Sequence, residues 1–420
     1  MPGVLWYDTS SNVLSSHGGG ILKEGNTYYW FGEYMDSDPN NVLPVYEGHV
    51  THQFVANTCY SSIDFVHWTF ENNVLTQQAS GDLGPGRVVE RPKVIYNDLT
   101  GQYVMYMHID SSMYDDNRVG VATCPTVNGN YTYLGGFWPL GNRSGDMTLF
   151  KDDDGKGYLL SNNGLSGINI YELTDDYLDV NSLATLVRKP GAEAPAMFKA
   201  GGTYYLLCSD SSWWTPNDNF YFTATSITGR WSTSKDFTPD STNTWASQTT
   251  YVQPIQGSVS TTYVFMADRW NEWDFGNSMY IFLPLIVDGT TLTVDWYDEW
   301  TLDAETGEWA PVECTASTIH VESIVCSTVP IPRSQGMSYG EVTVTIYDDC
   351  GDRVVGAEVT GTFTGDFNET LTETTDDSGV VVLTTTTGFK QPSYTFCVDN
   401  VSHATLSYDP NDNTETCESY

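Results

Sequence analysis

Helical periodicity is nearly absent from this chain. Apolar and polar residues alternate in short runs, and turn signals such as Glu24-Gly25-Asn26, Asp154-Gly155 and Gly201-Gly202 break them every ~8–12 residues. Within that rhythm one imperfect phrase recurs five times: a polar or acidic residue, a pair of apolar residues some four positions on, a Gly turn, then an aromatic-rich strand. The copies are HGGGILKEGNTYYWFGE from His17, ERPKVIYNDLTGQYVMYMHID from Glu90 and GDMTLFKDDDGKGYLLSNN from Gly145, then EAPAMFKAGGTYYLLCSD from Glu193 and QTTYVQPIQGSVSTTYVFMADR from Gln248. Their second strands begin near Tyr28, Tyr103, Tyr158, Tyr204 and Tyr263. Unequal all-strand repeats on that scale predict a five-bladed β-propeller. Third and fourth strands are legible after each phrase, among them GVATCPTV and INIYELTDDYL, so the propeller is expected to span residues 1–308.

Between Glu305 and Arg333 the aromatic rhythm stops, and Pro and Ser interrupt the chain. From Gly340 short Thr- and Val-rich strands follow: EVTVTIYD, GAEVTGTFTG, VVVLTTTT and YTFCVDNV. Residues 309–420 therefore read as a linker and a small antiparallel β-sandwich. Few of its aromatics look exposed, which favours a spacer or stabilising domain over a carbohydrate-binding one. The fold class is all-β, a propeller followed by a sandwich.

The shared register places the lead residues His17, Glu90, Asp146, Glu193 and Gln248 at one structural position, near the axis. The second strand of each phrase returns to the same mouth and adds Glu33, Asp110, Asn163, Asp210 and Asp268-Arg269. Carboxylates converging on one face suit glycoside hydrolysis, which needs a general acid beside the leaving oxygen and a partner that attacks or activates water. Clustered carboxylates also raise one another's pKa, as the acid role requires. Simpler readings stand beside this one. Glu90-Arg91 can be a structural ion pair, Asp152-Asp153-Asp154-Gly155 a hairpin turn, and His17 a satisfied core histidine or a sugar contact. Trp213, Trp214 and Trp270 are available for stacking on sugar faces, or for core packing.

Charge narrows the partners. With 54 acidic and 17 basic residues the net is −37, which argues against nucleic acid and anionic membrane. The acids are scattered and suit a solvated, saline-tolerant or secreted surface. No apolar run approaches the roughly 20 residues of a membrane helix. No signal peptide is legible after Met1, as in a mature protein carrying a start Met. The eight cysteines form no CxxC pair, so no zinc site or other cofactor is expected. Five of them follow Trp309, which suits an oxidising compartment with disulfides mainly in the C-terminal part.

HGGGIL, YYWFGE, YSSIDFVHW, ERPKVIYN, YVMYMH, DMTLFKDDDG, EAPAMFK with GTYYL, and ADRW resemble the five-bladed propellers of glycoside hydrolase family 43, and within it the exo-β-1,3-galactanase branch. The resemblance implies an inverting, exo-acting enzyme releasing galactose from β-1,3-galactan. Glu193 would be the general acid and Asp146 would tune its pKa. Glu90 and Tyr114 would bind the terminal galactose; from the ring register and the stacking candidates, Glu33, His17, Trp214 and Arg269 are expected as further substrate contacts. Most of the family carries an Asp base near the first blade. Here the phrase leads with His17, and Asp8 lies earlier, in a DTS segment. The branch lacks that Asp and has Gln in the fifth blade, as Gln248 stands here, to orient the water or act as an imidic acid; Glu33 is the alternative base. Gly145 stands where the resemblance leads us to expect Arg. A family 43 α-L-arabinofuranosidase or β-xylosidase, and a non-catalytic glycan-binding propeller, are the competing readings. The C-terminal part resembles the immunoglobulin-like sandwiches appended to bacterial secreted proteins.

Overall fold

Five four-stranded antiparallel sheets follow one another in the computed structural model, which describes residues 1–420. Blade 1 holds β1 (His17–Glu24), β2 (Thr27–Glu33), β3 (Ala56–Ser62) and β4 (Thr69–Thr76). Blade 2 holds β5 (Arg87–Asn97), β6 (Gln102–Ser111), β7 (Arg118–Cys124) and β8 (Thr132–Phe137). Blade 3 holds β9 (Met147–Lys151), β10 (Gly157–Asn162), β11 (Gly167–Leu173) and β12 (Val180–Arg188). Blade 4 holds β13 (Ala192–Ala200), β14 (Thr203–Asp210), β15 (Phe220–Ala224) and β16 (Lys235–Asp236). Blade 5 holds β17 (Gln248–Gln256), β18 (Thr261–Arg269), β19 (Met279–Asp288) and β20 (Thr291–Thr293). Strands lie in chain order within every sheet, so each blade is a contiguous meander. The first strands pack side by side around an axis, and β17 closes the ring against β1. Asp152–Gly155 forms the hairpin turn between β9 and β10, with Gly155 N donating to Asp152 O at 3.0 Å.

Each blade is covered by two neighbours, so alternate residues of one strand feed different cores. In β6, Met105 and Met107 join Phe31, Cys59 and Val74 of blade 1. Val104 and Tyr106 between them join Met147, Leu149 and Leu159 of blade 3. Junctions 3–4 and 4–5 repeat the scheme, the latter with Phe198 and Tyr205 against Phe265 and Ile281. Blade 5 meets blade 1 through Ile255, Val264 and Tyr280 against Ile21, Tyr28 and Trp30. No strand is exchanged to lock that seam. Trp6 wedges beside Trp30, Tyr280 and Phe282, with ring centroids 6.2, 5.6 and 4.9 Å away.

At the mouth end of four inner strands the register slips: between His17 and Gly20, Glu90 and Lys93, Glu193 and Ala196, and Thr249 and Tyr251. Such bulges re-aim the side chain beside them. Gly18, Arg91 and Ala194 there take φ of +58°, +53° and +51°. A side-chain oxygen from the preceding blade accepts the backbone N–H after four of the five lead residues. Asp268 Oδ2 takes Gly18 N at 3.1 Å, and Glu33 Oε1 takes Arg91 N at 2.7 Å. Asp146 Oδ2 takes Ala194 N at 3.0 Å, and Asn219 Oδ1 takes Thr249 N at 2.8 Å.

The chain divides into two units, Met1–Val312 and Glu313–Tyr420. The first therefore ends a few residues beyond the expected 308. The reason is a hairpin of β21 (Trp300–Leu302) and β22 (Trp309–Pro311) that folds back on blade 5. Trp300 Nε1 donates to Phe282 O at 2.9 Å, and Thr262 Oγ1 donates to Gly307 O at 2.7 Å. The second unit consists of two antiparallel-dominated sheets, led by Thr318–Pro330 with Met337–Asp348 and by Glu358–Gly365 with Tyr394–Ser402. Val321, Val344, Phe363, Leu383 and Phe396 fill its core. Both disulfides, Cys314–Cys350 and Cys397–Cys417, lie in this unit, while Cys59, Cys124 and Cys208 are buried free thiols of the propeller.

Gly32 tests the mouth of blade 1. A Cβ there would stand 2.2 Å from the Ser16 carbonyl carbon, which is backbone and cannot swing aside. We expect Gly32→Ala to lose about 1–3 kcal/mol in urea unfolding. An unchanged unfolding midpoint would show that this end of β1 is not fixed.

Candidate active site

The axis opens into a pocket of about 220 Å³ at the bulged ends of the inner strands. Seven of the expected residues line it: Glu193, Gln248, Asp146, Glu90, Tyr114, Glu33 and Trp214. His17 and Arg269 do not. His17 is 1% exposed, with Nδ1 3.0 Å from Asp268 Oδ1 and its ring stacked 4.6 Å from Tyr280. It is the satisfied core histidine of the blade 5–1 seam, not a sugar contact. Arg269 follows Asp268 on β18, and alternation turns it the other way. Its Nη2 donates to Trp245 O at 2.7 Å, and its guanidinium lies 5.6 Å over Trp296. Of the second ring only Glu33 reaches the pocket. Asp8 is spent on a local turn, accepting Ser10 N and Asn12 N at 2.8 and 2.9 Å.

Glu193 sits where the bulge of β13 turns it toward the axis. Burial, and then the charge of Asp146, push its carboxyl up to about 8, against partial opposition from Ser211, Arg91 and Gln248. It therefore keeps its proton at neutral pH and can donate it. Asp146 is fixed by Arg91 Nε at 2.8 Å and by Ala194 N, the amide directly after Glu193. One carboxylate thus sets both the field and the position of the acid.

Gln248 has no free valence. Nε2 donates to Glu193 Oε1 and Ser209 Oγ, both at 3.0 Å. Oε1 accepts from Arg91 Nη2 at 2.8 Å and Trp270 Nε1 at 2.9 Å. Arg and Trp are donors only, so they fix which end of the amide is oxygen. They also hold it in the amide form, since an imidic O–H would face one of the two donors.

Arg91 is the residue that sequence reasoning missed. It is 5% exposed, and its partner is Asp146 rather than the adjacent Glu90. Burial disfavours its charge, but Asp146, Glu33 and Glu193 outweigh that and raise its pKa further. The available signal was its register, one place after a lead residue, where blades 1 and 4 carry Gly18 and Ala194.

His108 is the second omission. Glu90 pairs with it across β5 and β6. Its Nδ1 lies 3.2 Å from Glu90 Oε2 and its Nε2 2.8 Å from Asp110 Oδ2. Burial opposes its charge, yet the two carboxylates hold its pKa up at about 10. Tyr114 OH donates to the other oxygen of Glu90 at 2.6 Å. Glu90 is thereby an oriented carboxylate able to accept sugar hydroxyls. Donor atoms of Glu90, His108 and Asp146 lie within 4.8 Å of one another, the spacing of a metal site. The imidazolium offers no lone pair, so this set fits a cation only after His108 loses its proton.

Glu33 is fully buried. Burial first, then Glu90 beside it, hold its carboxyl well above the usual range despite Arg91. Below the pocket, Lys93 Nζ donates to Gly18 O at 2.6 Å, and burial with Arg91 nearby lowers its pKa to about 7.

The model of glycosyl hydrolases family 43 matches residues 21–265. The exo-β-1,3-galactanase of Phanerochaete chrysosporium with galactose is 29% identical over 94% of this chain and 95% of its own, with a TM-score of 0.70. A variant of that enzyme with β-1,3-galactotriose is 30% identical over 93% and 94%, also at 0.70. The Clostridium thermocellum exo-β-1,3-galactanase is 29% identical over 90% of this chain and 81% of its own, at 0.68. No curated protein sequence matches. By family, fold and these relatives, the chain belongs to glycosyl hydrolase family 43 and is a glycoside hydrolase.

Proposed function

We propose that the protein is an inverting, exo-acting hydrolase that removes galactose from the non-reducing end of β-1,3-galactan, as in arabinogalactan-type main chains. The observation that carries this is Glu193, a half-buried carboxyl held neutral beside Asp146 in the pocket at the propeller axis. The relatives named above are exo-β-1,3-galactanases, which puts the arabinofuranosidase and xylosidase readings second. A merely glycan-binding propeller has no need of a neutral carboxyl pinned by an ion pair.

In this reading the terminal galactose places its hydroxyls against Glu90 and Tyr114, with His108 holding Glu90 in place at 3.2 Å. Glu193 transfers its proton to the glycosidic oxygen as the C1–O bond breaks, and the leaving sugar departs as an alcohol. Water attacks C1 from the opposite face, its spare proton passes to bulk water, and Glu193 regains a proton from solvent before the next turnover. Gln248 orients the water with the Nε2–H that Glu193 gives up when it turns to the glycosidic oxygen, while Arg91 and Trp270 hold it in the amide form. Glu33 has its carboxyl pushed well above the usual range by burial and then by Glu90, and it already supports the Arg91 bulge, which leaves it poorly placed to serve as the base. Arg91 pairs with Asp146 at 2.8 Å and gives Gln248 a single orientation. Secretion fits the two disulfides of the second unit and the charge of −37.

Incubation with β-1,3-galactan should release galactose, and Glu193→Gln should lose turnover by orders of magnitude yet keep sugar binding. Because the acid works protonated, kcat/KM should fall as pH rises through about 8. Asp146→Asn removes a negative neighbour, so that alkaline limb should move to lower pH. Unchanged turnover in Glu193→Gln would overturn the assignment. The water-handling group is separated by two further variants. Gln248→Ala should cost about 10²-fold or more in kcat, on the scale of losing a positioned polar group, while Glu33→Gln should keep most of it. The opposite ranking would make Glu33 the base.

A further inference from the structure

The geometry points to Trp213 as the aromatic wall of the subsite that receives the leaving-group sugar, an assignment that rests on the galactanase reading. Three tryptophans line the pocket, and two of them are committed elsewhere. Trp214 Nε1 donates to Val50 O at 2.6 Å and Trp270 Nε1 to Gln248 Oε1 at 2.9 Å. Both rings pack on the small core of Met35, Val50 and Phe275. Trp213 belongs to no such core. It is only partly buried and takes φ +54°, a strained conformation for a bulky residue.

That strained residue is held from outside its own blade. His49 stacks on it at 5.1 Å and 14°, while Tyr114 and Tyr46 meet it edge-on at 5.4 and 6.1 Å. His49 is in turn fixed by Glu272 Oε2 at 2.9 Å. Residues 34–55, the connection between β2 and β3, supply Tyr46 and His49. The same segment reaches Tyr114 through Thr51 Oγ1 at 2.8 Å and blade 4 through Val50 O. One loop of blade 1 therefore spans the mouth to blades 2, 4 and 5, and narrows it beside Trp213.

Position supplies the ligand. The leaving sugar must lie on the side of the acid, because Glu193 protonates the oxygen that leaves with it. Trp213 stands on the loop directly after β14 of the same blade, two residues beyond Ser211, which neighbours Glu193. A galactopyranose offers an apolar face of C–H groups to such a ring, and an aromatic wall tolerates substituents on the sugar edge. His49 is a positioning residue for this wall.

The test measures binding by calorimetry in the Glu193→Gln background, with galactose and with β-1,3-galactobiose. Adding Trp213→Ala should weaken galactobiose about five- to tenfold and leave galactose within about twofold. Trp213→Phe should restore most of the loss. His49→Ala in the active enzyme should raise KM for galactobiose without lowering kcat. Equal loss for both sugars, or no loss for either, would overturn the assignment. If the Glu193→Gln parent binds neither sugar, the galactanase reading itself fails, and this inference falls with it.

Discussion

One hydrogen bond, repeated around the ring, holds the active site together: a side-chain oxygen of one blade accepts the backbone N–H that follows the lead residue of the next. Asp268, Glu33, Asp146 and Asn219 make it at four of the five junctions. The N–H would otherwise be an orphan created by the bulge, buried and costly to leave unpaired. Satisfying it across the junction joins two tasks. It ties adjacent blades at their inner edge, and it fixes the direction of Glu90, Glu193 and Gln248. Apolar clusters between the blades supply the bulk of the cohesion, but in the pocket they set only Trp214 and Trp270.

Crowded carboxylates become tolerable because the site divides them into charged and neutral kinds. Asp146 and Asp110 each face a cation, Arg91 and His108 respectively. Glu33 and Glu193 lack a dedicated cation and are driven toward the protonated form by burial. An acid ready to donate is thus the product of position in the ring, not of anything in its local sequence. Gln248 fits the same logic. A carboxylate in its place would set another negative charge beside Asp146, whereas an amide bridges Arg91 and Glu193 without adding any.

The architecture was legible because it is written five times. Repetition supplied the blade count, the register of the lead residues and five pocket residues, Glu33, Glu90, Asp146, Glu193 and Gln248, while Tyr114 came from the family resemblance and Trp214 from its aromatic character. What the register could not show was the direction of a side chain beside a bulge. His17 leads its phrase as Glu193 does, yet it pairs with Asp268 and stays in the seam. Arg91 looked like the partner of its neighbour Glu90, but its left-handed backbone carries it to Asp146 instead. His108 was readable in principle as the cross-strand partner of Glu90. Loop 34–55 was not, since its contacts with Trp213, Tyr114 and Glu272 join distant segments without any periodic pattern. The hairpin 300–311 was similarly hidden, because its turn residues resemble a linker until they meet blade 5.

The central claim is that a neutral Glu193 acts alone as acid, with Gln248 rather than a nucleophilic carboxylate handling the water. Such a site leaves a single displacement at C1, with inversion of configuration. Proton NMR of the first galactose released from a β-1,3-galactan oligosaccharide, recorded before mutarotation, reads this directly. The account predicts α-galactose as the initial product. Initial β-galactose would contradict it, since retention requires a covalent intermediate on a second carboxylate, whereas this account commits Asp146 to Arg91 and Glu90 to His108 and Tyr114.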